Sequence, residues 1–294
     1  MKRIAVIVIG SNSTRLLAAD AVDQLTNPVR GRVETRLFLG MNSAAAFDEQ
    51  SMAHTVESVN QLKLEAESTN AELIGVYATS AARDASNTDV LARKILKSTG
   101  HALQILSGEE EAAYSFFGAA GNETCGVIDI GGGSTEIVLG SGTDLFATHS
   151  LQMGASRLFK THPINSVGDC SRAFEAIKSS MNDLPAVFKR FASPMSFYLL
   201  GGTGTACARM LAKPPEGCIL SNEQLDRLLH LVAETPRDNR KYLPGFPASR
   251  VDILPTGMAI LSVLFEIFSI GQVCVTERTN ADGLLRAYIH KKFS

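Results

Sequence analysis

The feature that most constrains this chain is an internal repeat. Residues 6–17 read VIVIGSNSTRLL, and residues 127–138 read VIDIGGGSTEIV. Each copy is an apolar run, a turn of Gly, Ser or Asn, and a second apolar run. Because β-branched residues favour buried strands and glycine permits a reversal, each copy predicts a strand, a tight turn and a strand. The copies lie about one domain length apart, so they predict two successive lobes.

The composition is that of a folded globular protein. The chain has 294 residues, of which 45% are hydrophobic and 20% are charged, and this length suits two domains. A formal net charge of −2 excludes bulk nucleic-acid binding, but it leaves room for a local cationic cleft that takes a small polyanion. The five cysteines are scattered and never spaced as CxxC. They predict neither a disulfide framework nor a zinc site, and a cytoplasmic protein is expected.

Two apolar stretches test for a membrane segment, and neither favours one. The run Ile4–Ile9 is too short for a signal sequence and predicts a buried strand. The stretch Ile253–Val275 is interrupted by Pro255 and Glu266, so it predicts a core helix rather than a membrane span.

The remaining segments alternate between helical and strand patterns, which predicts an α/β class. Helices are expected at Ser51–Ala66, Ser171–Phe191 and Ser221–Ala233, and strands at Glu72–Ala78 and Phe197–Leu200. The polar stretch 121–124 is interpreted as a linker. The predicted domains are therefore 1–122 and 123–294, with the alternative that the last helix packs back on the first lobe.

The two turns are candidate phosphate-binding sites. Successive N–H groups in a glycine-rich turn form a concave nest that suits phosphate oxygens. The candidates are Gly10, Ser11, Asn12 and Ser13 in the first copy, and Gly131, Gly132, Gly133, Ser134 and Thr135 in the second. The alternative is that each turn is only a tight connection between strands. Duplication of the flanking residues favours phosphate binding.

Two acids flank the second turn. Asp129 lies in an apolar strand, where a lone carboxylate is costly to bury, and Mg²⁺ beside a phosphate is its natural counter-charge. Glu136 follows the same turn and is a candidate second metal ligand or orienter of a metal-bound water. Its alternative is a solvated strand residue.

Two further charged residues are candidates for chemistry. Residues Ser107 and Glu110 match the Ser-x-x-Glu capping box, which explains Glu110 but not its neighbour Glu111. Arg83 follows a strand end and a run of small residues, a common setting for an arginine that grips phosphate. Its alternative is a surface salt bridge.

With these motifs in place, the chain resembles the exopolyphosphatase/guanosine pentaphosphate phosphohydrolase family of the actin-like, sugar-kinase-like superfamily. The strongest marks are Ile9–Ser13, Ala78–Arg83, Ser107–Ala112 and Val127–Glu136. The resemblance implies two ribonuclease-H-like lobes around a central cleft and hydrolysis of terminal phosphate from polyphosphate held between the two turns. It further implies Glu111 as the water-activating base, Arg83 as the terminal-phosphate ligand, and Mg²⁺ or Mn²⁺ at Asp129. Family habit implies a homodimer.

The chain departs from the family pattern at Val8, where the first strand normally carries an aspartate. Three alternatives to polyphosphate hydrolysis therefore stay open: guanosine pentaphosphate as the main substrate, a non-catalytic sensor that binds polyphosphate or guanosine nucleotides, and a sugar kinase. Neither a nucleic acid nor a membrane is expected as a partner.

Overall fold

The chain divides into two compact units in a computed structural model that describes residues 2–22, 24–182, 184–191 and 195–293. One unit comprises Met1–Gly118 and Asn280–Ser294, and the other comprises Ala119–Thr279. Residues 119–122, which the sequence analysis placed in the first lobe, thus belong to the second unit. The last helix belongs to the first unit. Each unit holds one mixed sheet with helices packed against it, which confirms the α/β class.

The first unit is built on a five-stranded sheet. Its strands are β1 (Lys2–Ile9), β2 (Thr14–Ala21), β3 (Leu25–Val33), β4 (Glu72–Ala78) and β5 (Leu103–Ile105). Its helices are α1 (Glu49–Ser68), α2 (Ser80–Asp84), α3 (Thr88–Thr99), α4 (Gly108–Ala119) and the last helix of the chain, α11 (Asn280–Phe293). The strand order is β3-β2-β1-β4-β5, in which β1, β2 and β3 are antiparallel and β4 and β5 run parallel to β1.

The second unit repeats this arrangement. Its strands are β6 (Thr124–Ile130), β7 (Thr135–Ser141), β8 (Asp144–Leu151), β9 (Ser196–Leu200), β10 (Ile219–Ser221) and β11 (Gln272–Val275). Its helices are α5 (Ala155–Thr161), α6 (Val167–Ser180), α7 (Ala186–Phe191), α8 (Gly202–Met210), α9 (Asn222–Glu234) and α10 (Leu254–Phe268), with 3₁₀ turns at Arg237–Tyr242 and Ala248–Arg250. The strand order is β10-β11-β9-β6-β7-β8. Apart from β10, order and directions match those of the first sheet, so both units have the predicted ribonuclease-H-like topology.

The central strand β1 is buried on both faces, as a strand with parallel and antiparallel neighbours in a covered sheet should be. Ala5, Ile7 and Ile9 pack on one side with residues of α1 and α3. Their alternates, Ile4, Val6 and Val8, pack on the other side with apolar residues of α11. The helix α11 is also tied to β3, because Arg30 pairs with Asp282 at 2.6 Å. The last helix thus completes the core of the first unit.

Two sequence predictions about helices were wrong. The expected single helix at Ser171–Phe191 is two helices, since α6 ends at Ser180 and α7 begins at Ala186. Pro185 explains the break, because proline donates no backbone hydrogen bond and disfavours helical geometry in the residue before it.

The expected core helix at Ile253–Val275 ends at Phe268 as α10 and is followed by strand β11. Ser269 adopts a left-handed conformation with φ 52°, which stops the helix. Hydropathy alone does not separate a buried helix from the buried strand that follows it. In the described part of the chain, no helix combines the length and the apolarity that crossing a bilayer requires.

Candidate functional site

The two glycine-rich turns have the same backbone geometry. The Gly10 amide donates to the Ser13 carbonyl at 3.0 Å, and the Gly131 amide donates to the Ser134 carbonyl at 3.0 Å. A Cβ atom on either glycine would lie 3.0 Å from that same carbonyl oxygen, which is tighter than an ordinary contact. The sequence repeat is therefore a repeat of hydrogen bonds as well as of residues.

Each turn is held from behind through its carbonyl groups. In the first unit, the amides of Arg36 and Phe38 donate to the carbonyls of Asn12 and Ser11, at 2.9 and 2.8 Å. Because a trans peptide points its C=O and N–H in opposite directions, the amides that follow these carbonyls point away from the support. The first turn thus presents consecutive N–H groups, which is the arrangement of an anion-binding nest.

The second turn is held in the same way by the start of α5. The amides of Ala155 and Ser156 donate to the carbonyls of Gly131 and Gly132, at 2.9 and 2.8 Å. The Nε of Arg157 donates to the Gly133 carbonyl at 2.7 Å. All three carbonyls are engaged by the support, so the three amides that follow them point the other way. Sequence reasoning missed Arg157, whose only signal was a charge at the start of a short helix.

The predicted metal-side acids lie beside each other at the second turn. Asp129 on β6 is the register partner of Glu136 on β7, and directly paired residues share one face of a sheet. Asp129 is 7% exposed and Glu136 is 1% exposed. The alternative of a solvated Glu136 is therefore wrong. Its Oε1 accepts a hydrogen bond from the Ser150 hydroxyl at 2.8 Å.

The donor set at these acids fits a hard divalent cation. Among the described residues, no cluster of three or more His, Cys, Asp and Glu side chains could hold a metal ion. Mg²⁺ does not require one, since it commonly takes one or two carboxylates and completes its shell with water and phosphate oxygens. Space is preserved beside Asp129, because a Cβ at Gly201, where φ is 90°, would lie 3.1 Å from its Oδ1. Two adjacent carboxylates beside a phosphate nest suit Mg²⁺ or Mn²⁺.

The first unit brings Arg83 and Glu111 into direct contact. The Nη1 of Arg83 lies 2.7 Å from Oε2 of Glu111 and donates to the Leu106 carbonyl at 2.8 Å. The two side chains are 16% and 8% exposed, so the pair is largely screened from solvent and is not the surface salt bridge of the alternative. Thr79, at the start of the segment that carries Arg83, donates its amide to the Ile9 carbonyl at 3.2 Å. This contact places the Arg83 segment beside the first turn.

The helix that carries Glu111 begins with the predicted capping box. The Ser107 amide donates to Glu110 Oε2 at 2.8 Å, and the Glu110 amide donates to the Ser107 hydroxyl at 3.1 Å. Glu110 is therefore explained by the cap. Glu111, one residue further along the first turn of α4, is the acid that reaches Arg83.

The strand rows beside the two turns carry opposite charges. In the second unit the row is Asp129, Glu136 and Ser150. The equivalent row in the first unit is Val8, Arg15 and Arg32. Sequence reasoning noted Val8 but missed Arg15, although the repeat aligns Arg15 with Glu136.

Comparisons with known proteins agree with this geometry. The chain matches the model of the Ppx/GppA phosphatase family over residues 18–292. A guanosine-5'-triphosphate,3'-diphosphate pyrophosphatase of Vibrio vulnificus is 26% identical over 292 residues, which cover 95% of this chain and 58% of that protein. A putative exopolyphosphatase of Haemophilus influenzae is 28% identical over 97% of this chain and 91% of that protein. The chain thus spans little more than half the length of the first relative and most of the second.

Solved structures show the same fold. An exopolyphosphatase from Cytophaga hutchinsonii superposes with a TM-score of 0.89 at 21% identity, over 99% of this chain and 98% of that one. A Ppx/GppA family member from Aquifex aeolicus superposes with a TM-score of 0.80 at 23% identity, over 100% and 99% of the two chains.

Proposed function

Because the chain belongs to the Ppx/GppA phosphatase family, we propose that it releases terminal phosphate from inorganic polyphosphate by hydrolysis. The observation that carries this proposal is the contact of 2.7 Å between Arg83 and Glu111 beside the first turn. It pairs a guanidinium that can hold a terminal phosphate with a carboxylate that can accept a proton from water. The relative of similar length from Haemophilus influenzae is named a putative exopolyphosphatase, which supports polyphosphate as the substrate class.

The proposed step is an in-line displacement. A water oxygen forms a bond to the terminal phosphorus while the bridging P–O bond breaks, and the shortened chain leaves with that electron pair. Glu111 accepts the proton that the water loses. Arg83 and the amides of the two turns donate hydrogen bonds to the phosphate oxygens, where catalysis of phosphoryl transfer mainly resides.

A divalent cation is the remaining part of the proposal. Asp129 and Glu136 are the residues that would hold Mg²⁺ or Mn²⁺, and their burial leaves their charge available to a partner within the site. When bound, the ion supplies positive charge to phosphate oxygens.

Glu111→Gln tests the assignment of the base. Glutamine keeps the size of the side chain and a hydrogen-bonding oxygen for Arg83, but it does not accept the proton of the attacking water. We expect kcat for phosphate release to fall by about 100-fold or more, while tripolyphosphate still binds. Glu110→Gln is the matched control, because that acid serves the helix cap, and its kcat should stay within a few-fold of the parent. Hydrolysis by Glu111→Gln at the parental rate would show that another group activates the water.

Guanosine pentaphosphate is a second candidate substrate, favoured by the relative from Vibrio vulnificus whose name specifies that nucleotide. The test is a comparison of kcat/KM for long-chain polyphosphate and for guanosine pentaphosphate under the same metal conditions. A higher value for the nucleotide would replace the polyphosphate proposal.

A binding protein without turnover is the third candidate, because Val8 leaves the first turn without a carboxylate. Binding of polyphosphate with no phosphate release under either Mg²⁺ or Mn²⁺ would support it. A homodimer and a cytoplasmic location stay predictions.

A further inference from the structure

Arg15 occupies an unusual position in the first unit. Its register partner on β1 is Val8, which is 3% exposed, and its register partner on β3 is Arg32. Neither neighbour offers a negative charge. Arg32 forms an ion pair with Glu34 at 2.6 Å. Within the described residues, Arg15 has no ion pair, and its hydrogen bond is the one from Nε to the Ser13 hydroxyl oxygen at 3.4 Å. Its two terminal amino groups thus lie beside a phosphate nest without a protein acceptor.

The contact with Ser13 also sets the direction of the Ser13 hydroxyl. Its oxygen accepts a hydrogen bond from Arg15, so its own proton is directed to another acceptor. Ser13 is the last residue of the first turn, and its side chain finds no other hydrogen-bond partner in the described part of the chain. A hydroxyl proton, the turn amides and a guanidinium fork are therefore all donors without an acceptor in one place. A phosphate group supplies the acceptors that such a set requires.

We propose that Arg15 binds a phosphate group of the polyphosphate chain at the first turn and orients the Ser13 hydroxyl toward it. The proposal rests on the proposed function for the identity of the ligand. It assigns the first turn a mode of binding that differs from the second. At the second turn the row of Asp129 and Glu136 needs a cation between protein and phosphate. At the first turn the positive charge belongs to the protein.

Val8 is part of this arrangement. A carboxylate at this position would lie directly across from Arg15 and would pair with it, because register partners on adjacent strands have neighbouring side chains. Valine leaves the guanidinium charge available to a ligand. The missing carboxylate at position 8 and the unpaired guanidinium at position 15 are thus two aspects of one site.

The test is equilibrium binding of inorganic tripolyphosphate to the full chain in the presence of EDTA, by calorimetry. Arg15→Gln should weaken binding by about 10- to 100-fold, the range expected for losing charge-assisted hydrogen bonds. Arg15→Lys keeps the charge but loses the fork, so its affinity should be intermediate. Arg32→Gln is the matched control in the same row, and its affinity should stay within about threefold of the parent because Arg32 already pairs with Glu34.

Two results would overturn the proposal. One is parental affinity in Arg15→Gln, and the other is an equal loss in Arg32→Gln, which would indicate a diffuse charge effect. Thermal unfolding of each variant checks that the fold is retained, and Arg15→Lys gives a second measurement if Arg15→Gln does not fold. The readout needs no turnover. Loss of binding in Arg15→Gln together with no phosphate release by the parent would therefore reject the hydrolase and keep the Arg15 site.

Discussion

The two glycine-rich turns differ in charge although they share a backbone. Both close with a hydrogen bond of 3.0 Å from the first glycine to the serine three residues on, and both are supported through their carbonyls. Beside the second turn lie Asp129 and Glu136, and at the equivalent register positions beside the first lie Val8 and Arg15. Amide geometry therefore sets the capacity to bind an anion, and two side chains set whether a cation must accompany it. The second property can change without altering the first.

The largest expected effect comes from removing the acid of the second turn. In Asp129→Asn, turnover at saturating Mg²⁺ should fall by about 100-fold or more, because charge stabilisation of the transferring phosphate is lost. Tripolyphosphate binding in EDTA should stay within about threefold of the parent. Phosphate-release kinetics and calorimetry measure the two quantities. Asp144→Asn, which removes an exposed carboxylate on β8, is the charge control. Full activity in Asp129→Asn would remove the proposed asymmetry between the turns.

A smaller effect is expected from making the first turn resemble the second. Val8→Asp places a carboxylate opposite Arg15, where the two should pair. Tripolyphosphate binding in EDTA should weaken by about tenfold, since the guanidinium is then partly neutralised. Val8→Asn changes polarity at the same buried position without adding charge and serves as the control. Unchanged or tighter binding in Val8→Asp would contradict the role given to Arg15.

The smallest expected effect compares two capping boxes, one in each unit. Ser107 caps α4, and Ser221 caps α9 through a reciprocal pair of hydrogen bonds with Gln224 at 3.1 and 3.2 Å. Replacing either serine by alanine should lower the protection free energy of amides in its own helix by about 1 kcal/mol, measured by hydrogen exchange. Only Ser107→Ala should also lower kcat, by a few-fold, because the first turn of α4 carries Glu111. An equal change of kcat in Ser221→Ala would show that the cap acts through general stability.

Local patterns in the sequence were sufficient for much of the fold. The repeated apolar runs predicted β1 and β6 and their turns, because strand propensity and tight reversals depend on neighbouring residues. The Ser-x-x-Glu spacing predicted the start of α4 for the same reason. The pairing of Asp129 with Glu136 also follows from a short hairpin, so both acids were predicted as one site.

Long-range contacts were not accessible in this way. The ion pair of Arg83 with Glu111 joins residues 28 positions apart, and it depends on how β4, β5 and α4 pack. The burial of Glu136 depends on its pairing with β8. Arg15 was missed although it lies in the repeat, because an arginine in a strand is usually solvated and only the register shows that its neighbours are Val8 and Arg32.

The return of α11 to the first unit has a consequence for synthesis. The second unit is one uninterrupted stretch, so its sheet and helices can assemble as soon as residue 279 has left the ribosome. The first unit lacks this freedom, since one face of β1 is covered by Leu284 and Leu285 of α11. At the usual 5 to 20 residues per second, that face waits roughly 10 to 60 seconds for its partner. The first strand to be made is among the last to be buried, and during that interval it is a natural client for a chaperone.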